Sequence, residues 1–593
     1  MQAYLGVARS LTGRTWRTRA ADERLAQALS QRLAVPDVVG RVLAQRGLSL
    51  DDADAFLSPS LRHALPDPAH LKDMEAAAER VARAIRSGEQ AAVFGDYDVD
   101  GATSAALLKR FFDAARGRLR IYIPDRRAEG YGPNAAALRR LREEGVSLVV
   151  TVDCGVTAFA PLEEAARVGL DVVVLDHHQA EPRLPPAFAI VNPNRLDETS
   201  PHRQLAAVGV TFLLLVAANR ALRRAGWWTA ERPEPDLLGW LDLVALGTVA
   251  DVVPLTGLNR VLVAQGLKVM AQRRNLGLAA LADVARLQSR PTAFHCGFLL
   301  GPRVNAGGRV GRSDLGARLL TTEDAAEAAM LADELDRLNG ERQAIEAMVL
   351  EQAEVLVDAS RPLAFVAARG WHEGVIGIVA GRLKEKHRRP ALVVALDGGR
   401  GKGSGRSVSG LDLGAAVTAA KQAGILIAGG GHAMAAGLTV EEGRVDELRD
   451  FLVARCAPLL AALAPTDSFV VDGALHVRGA TRELVDILEA AGPFGAGWPE
   501  PRFAIAGAEV ANADVVGTDH VRLALRGADG GRLKAIAFRA AGTPLGQGLL
   551  RSRGERIHLA GHLRPDDWAG ARGAQLVVED AAIPREAALA AVA

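Results

Sequence analysis

Three aspartates at alternate positions, Asp96, Asp98 and Asp100, directly follow an apolar run in the segment AAVFGDYDVDGATS (91–104). The run has the length and composition of a buried strand, and Gly101 opens a pattern typical of a helix. In an extended segment alternate side chains share a face, so we expect the three carboxylates to crowd together. A multivalent cation would neutralise them. A solvated acidic loop, or Asp100 acting as a helix N-cap, is the alternative.

Polar residues also follow three later strands that the apolar pattern predicts, with helical stretches near 134–144 and 157–168 between them. Such alternation implies a mainly parallel sheet with helices on both faces. Ligands gather outside the carboxyl ends of strands in sheets of this kind. The polar clusters are Asp153-Cys154 after 148–152, Asp176-His177-His178 after 172–175, and Asn192-Pro193-Asn194 after 189–191. Because all of them fall on one edge of the sheet, the sequence predicts a metal site there.

Two further segments would complete such a site. Asp251 lies in the apolar segment LGTVADVVPL. An unpaired carboxylate there would be costly, so we interpret Asp251 as a ligand. The segment GPRVNAGGRVGR (301–312) places Arg303 and Arg309 among glycines. Small residues let a phosphate approach the backbone while arginine supplies charge; the alternative is a flexible turn with solvated arginines.

The composition limits the class of protein. The chain has 593 residues, and 71 basic residues nearly balance 70 acidic ones. This length suggests about four domains. The overall charge gives no sign of a nucleic-acid partner, so any basic surface must be local. The sequence contains no run of roughly 18 apolar residues, so we expect no membrane span. The three cysteines are far apart and form no CxxC pair, which favours a reducing compartment over a disulfide scaffold.

The periodicity predicts an α/β protein with two α/β lobes and a barrel. The pattern over residues 323–357 predicts the longest helix, a spacer between the lobes. The second lobe has predicted strands at 365–368 and 391–395. Beyond 465, about five or six strands of period two predict a small β-barrel. The predicted domains are an N-terminal helical segment (1–60), a first lobe with a parallel sheet (61–322), a connecting helix (323–360), a second lobe (361–463) and the barrel (464–593).

Together, the motifs DYDVDG, TVDCG, LDHH, GTVADVVPL and GGGHAMAAG resemble the DHH phosphoesterase superfamily. The further motifs IPDRRAEGYG, GPRVNAGGR, SGRS and GPFGAGWPEP make the chain look most like its RecJ family, the single-strand-specific 5′→3′ exonucleases of bacteria. DHH alone is a weak match, but this many motifs in order are specific. The resemblance covers roughly residues 35 to 585. It implies a DHH catalytic domain, a DHH-associated domain and an OB-fold barrel.

The resemblance implies a two-metal site at the carboxyl edge of the first sheet. The implied ligands of one ion are Asp98 and Asp153, and those of the other are Asp100, Asp153, His177 and Asp251, so that Asp153 bridges. Asp96 would contribute directly or through water. Oxygen-rich ligands with one imidazole suit Mn²⁺ or Mg²⁺ better than zinc. Two such ions generate hydroxide and stabilise both oxygens of an in-line displacement.

The resemblance gives the two remaining residues of the DHH motif different roles. His178 would contact the scissile phosphate rather than a metal, and Asp176 would orient an imidazole. The implied catalytic residues are Asp98, Asp100, Asp153, His177, His178 and Asp251.

The resemblance also implies a pocket for the terminal phosphate. Such a phosphate carries more charge and more acceptor oxygens than an internal diester, and arginine forks read that difference. The strand would then enter 5′ end first and release 5′-mononucleotides. The implied substrate-binding residues are Arg126, Arg303, Asn305, Arg309, Ser404, Arg406 and His432. The alternatives are a solvated glycine-rich turn at 404–406 and a buried turn around His432.

An OB-fold suits single-strand backbones and stacked bases. Four basic residues on or beside the predicted barrel strands are candidates for phosphate contacts: Arg522, Arg532, Lys534 and Arg564.

Two other functions remain open from the sequence. One is a DHH phosphoesterase acting on a short oligonucleotide, a cyclic dinucleotide or pyrophosphate, although a small substrate does not need the barrel. The other is a metal-dead relative serving as a replication scaffold, against which the intact acidic set argues. The RecJ resemblance further implies DNA repair and recombination, single-stranded DNA as substrate, a single-strand-binding protein and a recombination helicase as partners, no membrane, a monomer and a cytoplasmic location.

Overall fold

The computed structural model of the protein describes residues 3–126, 129–463, 468–566 and 573–584. Arg127, next to the predicted phosphate-binding residue Arg126, lies outside the described residues. The predicted domain boundary at 463/464 lies at the edge of the second gap. No helix in the described ranges combines the length and the hydropathy that a membrane span requires.

The first lobe is built around a sheet of five parallel strands in the order β3-β2-β4-β5-β6. Helices cover both faces, as predicted, because the strands are apolar on both sides. The elements up to this point are β1 (Thr15–Thr18), α1 (Glu23–Leu33), α2 (Asp37–Gln45), α3 (Ala53–Leu57), α4 (Leu61–Ala64), α5 (Met74–Ser87), β2 (Gln90–Gly95), α6 (Val99–Ala114), β3 (Arg118–Tyr122), α7 (Ala135–Glu143), β4 (Leu148–Val152), α8 (Phe159–Arg167), β5 (Asp171–Leu175) and β6 (Ala189–Val191).

A helical layer completes the first lobe and leads into the long helix. It packs against α6, which is buried along most of its length because it lies between the sheet and this layer. Its members are α9 (Ala207–Arg224), α10 (Leu241–Ala250), α11 (Gly257–Met270), α12 (Leu276–Val284), α13 (Ala293–His295), α14 (Gly301–Val310) and α15 (Leu315–Thr321), followed by α16 (Ala325–Leu356). Helix α16 confirms the predicted spacer.

Two expectations about this lobe were wrong. The three aspartates do not form an extended row, because Asp98 caps α6 and Asp100 lies in its first turn. The alternative interpretation of segment 301–312 as a flexible turn is also wrong, since most of it forms α14. Its glycines instead allow close packing: a Cβ at Gly308 would lie 2.2 Å from the Tyr97 ring.

The second lobe has a mixed sheet in the order β10-β11-β9-β8-β7, in which only β7 and β8 run parallel. The segments around 404–406 and His432 are therefore strands rather than turns, and His432 is exposed rather than buried. The elements are β7 (Ala364–Arg369), α17 (Ile376–His387), β8 (Ala391–Asp397), β9 (Arg400–Arg406), α18 (Leu413–Gln422), β10 (Leu426–His432), β11 (Ala435–Glu441) and α19 (Val445–Ala462).

The C-terminal strands form the predicted closed barrel. Strand β14 pairs with both β15 and β17, which closes the ring β14-β15-β16-β18-β17. The elements are β12 (Ser468–Val471), β13 (Gly473–Leu475), α20 (Arg482–Ala490), β14 (Phe503–Val516), β15 (His520–Arg526), β16 (Arg532–Ala537), α21 (Pro544–Arg551), β17 (Arg556–Asp566) and β18 (Gly573–Ala582).

The N-terminal segment packs on this barrel and contains a strand that the sequence did not indicate. Strand β1 pairs in parallel with β12, and Leu29, Val39 and Leu43 belong to the same apolar core as the barrel strands. Local periodicity could not reveal β1, because its only strand partner among the described residues is separated from it by most of the chain.

Candidate metal centre and phosphate pocket

The DYDVD segment delivers its carboxylates through the turn from β2 into α6. The Asp98 carboxylate accepts a hydrogen bond from the Gly101 N–H at 3.0 Å and so caps the helix. Asp100 points back to the N-terminus of α9, where its two oxygens accept from the N–H groups of Ala207 (2.7 Å) and Val208 (2.8 Å). The turn needs glycine at position 101, because a Cβ there would lie 2.4 Å from the Asp96 carbonyl oxygen.

Asp153 occupies the carboxyl end of β4 in a strained backbone conformation. Its φ is 59°, in the left-handed region that non-glycine residues rarely adopt. Such strain persists only where the surroundings enforce it. The Tyr131 hydroxyl contributes, since it donates a hydrogen bond to the Asp153 carbonyl at 2.9 Å.

The two histidines follow β5, and a neighbouring loop holds their backbone. The side-chain amide of Asn192 donates to the His178 carbonyl (2.9 Å), and that of Asn194 donates to the His177 carbonyl (2.6 Å). Asp176 hydrogen-bonds to His178 Nδ1 at 2.7 Å. Burial opposes the charge on Asp176 and His178, but their hydrogen bond and mutual attraction outweigh it. The pKa of Asp176 falls to about 2, and that of His178 is raised.

The strand ends and α10 bring these side chains to one point. The Nε2 atom of His177 lies 3.2 Å from an Asp153 oxygen, 3.5 Å from an Asp251 oxygen and 3.9 Å from an Asp100 oxygen. Three overlapping groups have ligand atoms within 4.8 Å of one another: Asp96, Asp98 and Asp153; Asp100, His177 and Asp251; and Asp153, His177 and His178. Asp153 and His177 each belong to two of these groups.

The buried carboxylates of this cluster repel one another, so a bound cation would stabilise their charged forms. Burial first, and then the neighbouring carboxylates, raise the pKa of Asp96 to about 8, of Asp100 to about 7 and of Asp251 to about 9. The same causes raise the pKa of Asp153 well above its usual value. Burial and the nearby His178 lower the pKa of His177 to about 4, so its imidazole is neutral and able to bind a metal.

The donor atoms fit divalent cations. Asp153 Oδ1, His177 Nε2 and Asp251 Oδ2 are buried without a hydrogen-bond partner, although buried polar atoms are normally paired. All three converge on the same point. Carboxylate oxygens with one imidazole suit Mn²⁺ or Mg²⁺.

Three arginines form a second cluster beside the acidic one. Arg126 lies 4.7 Å above the Tyr97 ring, and Arg309 reaches from α14 to the Gly374 carbonyl at 3.0 Å. Burial first, and then repulsion by neighbouring arginines, lowers the pKa of Arg309 and of Arg406. The repelling neighbours are Arg126 and Arg342 for Arg309, and Arg309 and Arg126 for Arg406. Within the part of the chain that the structure describes, no ion pair joins any of the three to a carboxylate. Uncompensated guanidinium groups in this arrangement favour an anion.

The second lobe contributes Ser404 and Arg406 from strand β9. An Arg406 guanidinium nitrogen lies 3.3 Å from the Ser404 hydroxyl oxygen. Both side chains lie against Gly377 in α17, where a Cβ would come within 3.1 Å of each. His432 is in the same row of the sheet, because Ala435 pairs with both Arg406 and His432.

Two predicted substrate-binding residues are engaged elsewhere. Arg303 donates to Asp336 on α16 at 2.8 Å, so a carboxylate already balances its charge. The Asn305 side-chain oxygen accepts from the Val99 N–H at 3.1 Å and thereby braces the start of α6.

The sequence reading missed two tyrosines. Tyr97 joins Arg126 and Gly308, and Tyr131 holds Asp153 and lies edge-on to His178, with ring centroids 6.1 Å apart. Both tyrosines lie inside motifs of the RecJ resemblance, DYDVD and EGYG, which could have marked them as site residues. Spacing in the sequence could not show which residues they contact.

Four basic residues on the barrel strands lie in ion pairs, unlike the three arginines in the cleft between the two lobes, whereas Arg532 and Arg556 have no ion pair among the described residues. The pairs are Lys534–Asp566 (2.7 Å), Arg564–Glu500 (2.6 Å), Arg522–Asp514 (3.7 Å) and Arg526–Glu509 (3.7 Å).

Three protein-family models match the chain. They are the DHH family N-terminal domain over residues 90–248, the DHHA1 domain over 361–457 and the RecJ OB domain over 471–580. The first includes all of the candidate metal ligands except Asp251.

Curated relatives match most of the chain. The single-stranded-DNA-specific exonuclease RecJ of Dickeya dadantii is 37% identical over 92% of this chain and 96% of its own length. The protein of the same name from Bacillus subtilis is 33% identical over 96% of this chain and 71% of its own length. Among solved structures, RecJ from Thermus thermophilus with Mn²⁺ superposes with a TM-score of 0.80 and 30% identity, covering 96% of this chain and 80% of that one. Its complex with Mg²⁺ gives 0.75, with 29% identity over 96% of this chain and 78% of that one.

Proposed function

The chain belongs to the RecJ family. From that membership we propose which residues bind the metal ions, which contact the scissile phosphate and which recognise the 5′ end of a DNA strand. The protein is a metal-dependent exonuclease specific for single-stranded DNA. The strand enters 5′ end first, and the products are 5′-mononucleotides.

The acidic cluster holds the divalent cations, Mn²⁺ or Mg²⁺. Asp98 and Asp153 serve one position with Asp96 beside them, and Asp100, His177 and Asp251 serve the other together with Asp153. When bound, the two ions supply a hydroxide nucleophile and stabilise both oxygens of the in-line displacement. The chain contributes the fixed geometry: capping bonds lock Asp98 and Asp100, and the neutral imidazole of His177 keeps a lone pair available.

His178 acts on the substrate. Its hydrogen bond to Asp176 fixes the ring and raises its pKa, so the other ring nitrogen can donate to a non-bridging oxygen of the scissile phosphate. The donated hydrogen bond strengthens as negative charge builds up on that oxygen.

The arginine cluster reads the 5′ end. Arg126, Arg309 and Arg406, with Ser404, present donors from both lobes to a terminal phosphate, whose extra charge makes it a better ligand than an internal diester. The metal cluster lies close by, since Arg126 lies 4.7 Å above the ring of Tyr97, which is flanked in the chain by Asp96 and Asp98. We place His432 at the rim of this pocket, and Arg303 and Asn305 behind it as supports.

The observation that carries this proposal is the convergence of Asp153 Oδ1, His177 Nε2 and Asp251 Oδ2, buried and unpartnered, at the edge of the sheet. The test is digestion of single strands labelled at either end, with Mn²⁺, with Mg²⁺ and with EDTA. We expect mononucleotides from the 5′ end with either metal and none with EDTA. Digestion from the 3′ end would contradict the polarity.

The wider setting follows from the same family membership. We propose roles in DNA repair and recombination, with a single-strand-binding protein and a recombination helicase as partners and a monomer as the active form. We propose a cytoplasmic location, which the three free, buried cysteines support. The domain boundaries that we propose are 1–60, 61–322, 323–360, 361–463 and 464–593.

A further inference from the structure

A connecting segment of the barrel domain, residues 492–498, lies against the loop that follows Asp251. The backbone N–H of Leu255 donates a hydrogen bond to the Ala496 carbonyl at 2.8 Å. Leu255 is buried at this contact, with 1% of its surface exposed. The barrel thus hydrogen-bonds to the first lobe four residues after a candidate metal ligand.

Glycines make this approach close. A Cβ added at Gly497 would lie 2.9 Å from the Pro254 Cβ, and one added at Gly495 would lie 2.7 Å from the Leu255 side chain. Real Cβ atoms essentially never come so near another heavy atom. Side chains at these positions would push the barrel and the loop apart.

Arg260, on α11, fastens the same joint. Its guanidinium lies 3.5 Å above the Phe56 ring of the N-terminal segment and donates to the Phe56 carbonyl at 2.8 Å. It also donates to the Gly492 carbonyl at 2.6 Å. Arg260 is buried, with 3% of its surface exposed. One side chain of the first lobe therefore binds both the N-terminal segment and the barrel connection.

The loop held by this joint is strained. Val252 has a φ of 62°, in the left-handed region, although its side chain is branched at Cβ and 70% exposed. A conformation of this kind persists only when neighbouring structure enforces it. The end of α10 holds one side of this turn, since the Val252 N–H donates to the Val249 carbonyl at 3.2 Å, and the docked residues Pro254 and Leu255 hold the other side.

The joint also reaches Asp100. The buried side-chain amide of Asn259 donates to the Pro254 carbonyl (3.1 Å) and to the Gln204 carbonyl (2.5 Å). Gln204 lies just before α9, whose first N–H groups hold the Asp100 carboxylate. A continuous set of contacts thus runs from the barrel to two side chains of one candidate metal group.

We propose that the segment 492–498 is a positioning element for Asp251 and Asp100, so that docking of the barrel sets the metal affinity of the first lobe. This inference rests on the proposed function, because it takes these two aspartates as metal ligands. It gives the GPFGAGWPEP motif a role that is separate from DNA binding.

The test compares two glycines of the barrel domain in the full-length protein. Gly497→Ala adds a methyl group against Pro254, whereas Gly530→Ala adds one at a similar positive φ, +75° against +69°, with no atom within 4 Å. Mn²⁺ binding is measured by electron paramagnetic resonance, and turnover on a short oligonucleotide by steady-state kinetics. For Gly497→Ala we expect the Mn²⁺ dissociation constant to rise about 10-fold, as for other lost supports of metal ligands. We expect kcat to fall with KM nearly unchanged, and Gly530→Ala to behave like wild type.

Unchanged Mn²⁺ binding in folded Gly497→Ala protein would overturn the positioning role. If thermal melting shows that this variant is unfolded, Arg260→Lys replaces it, because lysine keeps the charge but cannot donate to the Phe56 and Gly492 carbonyls through two nitrogens at once. Normal Mn²⁺ affinity in folded Arg260→Lys would overturn the proposal equally. Asp251→Asn is measured in parallel. Wild-type Mn²⁺ binding by Asp251→Asn would show that the proposed metal site, rather than its support, is wrong.

Discussion

The cleft and the barrel both carry many charged side chains, but they balance them differently. In the cleft, carboxylates crowd together on one side and arginines on the other, so that burial and like charges shift their pKa values. On the barrel, several cations pair with acids, as Lys534 does with Asp566 and Arg564 with Glu500.

The difference shows where ligands are required. A buried cluster of like charge is unfavourable until an ion of opposite sign neutralises it. A surface ion pair is nearly neutral and is worth only about 0–1 kcal/mol. The cleft is therefore expected to bind a cation and a phosphate strongly, and the barrel to contribute many weak contacts.

Breaking the acidic side of the cleft should have the largest effect. Asp153→Asn keeps the shape of the side chain but removes the carboxylate that lies in two of the metal groups. Because several kcal/mol of transition-state stabilisation depend on those ligands, we expect turnover to fall at least about 10³-fold with DNA binding largely retained. His177→Ala should behave similarly. The measurement is kcat at saturating Mn²⁺, alongside a binding assay.

The control for Asp153→Asn is Asp113→Asn, at the far end of α6, where the carboxylate forms an exposed pair with Lys109. That variant should turn over like wild type. Near-normal turnover by folded, metal-saturated Asp153→Asn would mean that the crowding of carboxylates has another cause.

Breaking the arginine side should change selectivity rather than chemistry. Arg406→Ala removes donors from the proposed terminal-phosphate pocket while the metal ligands remain. A hydrogen bond to a charged group contributes about 1.5–3 kcal/mol, so the preference for 5′-phosphorylated over 5′-hydroxyl strands should drop about 10- to 100-fold. The measurement is the rate ratio for those two substrates.

Arg400→Ala is the matched control for Arg406→Ala, since Arg400 is at the opposite end of the same strand β9 and is exposed. It should leave the ratio unchanged. An unaltered ratio in Arg406→Ala would remove this residue from end recognition.

Local sequence patterns predicted the first lobe well because parallel strands buried on both faces are continuous apolar runs. Strand β4 was predicted at its observed bounds, 148–152, and the apolar run that predicted β2, 91–94, lies within a residue of the observed strand at each end. Period-two alternation predicted the barrel because its strands bury one face and expose the other. Strand β1 was missed because its strand partner among the described residues, β12, is far from it in the sequence. Helix α14 was not predicted because glycines usually mark turns, whereas here they allow packing against Tyr97 and α16.

The candidate site could be predicted as a list of residue types but not as a geometry. The rule that ligands gather at the carboxyl ends of parallel strands brought Asp98, Asp153 and His177 together. It could not show that Asp336 neutralises Arg303, or that Tyr131 holds the strained backbone of Asp153. Both are contacts between elements far apart in sequence, which no local spacing encodes.

The next variant tests whether the backbone conformation of Asp153 matters independently of the charge of the acidic cluster. Tyr131→Phe removes the hydroxyl that donates to the Asp153 carbonyl and leaves every carboxylate in place. A lost hydrogen bond of this kind costs about 1 kcal/mol, so we expect kcat to fall roughly 5- to 10-fold. The terminal-phosphate preference should remain, and wild-type kcat would show that Asp153 keeps its backbone conformation without this support.

The smallest effect is expected on the barrel, where it tests the other half of the comparison. On single strands each phosphate contact contributes a slope of about 0.7 to the salt dependence of binding. Because Asp566 already pairs with Lys534 at 2.7 Å, Lys534→Gln should lower that slope by clearly less than about 0.7. Asp566→Asn should have the opposite sign, since it frees the lysine for phosphate and steepens the slope. The measurement is binding of a long single strand between low and moderate salt.

A full loss of about 0.7 in the slope for Lys534→Gln, with no change for Asp566→Asn, would mean that the barrel cations act on DNA as freely as unpaired ones. The proposed difference between the paired cations of the barrel and the unpaired arginines of the cleft would then be wrong.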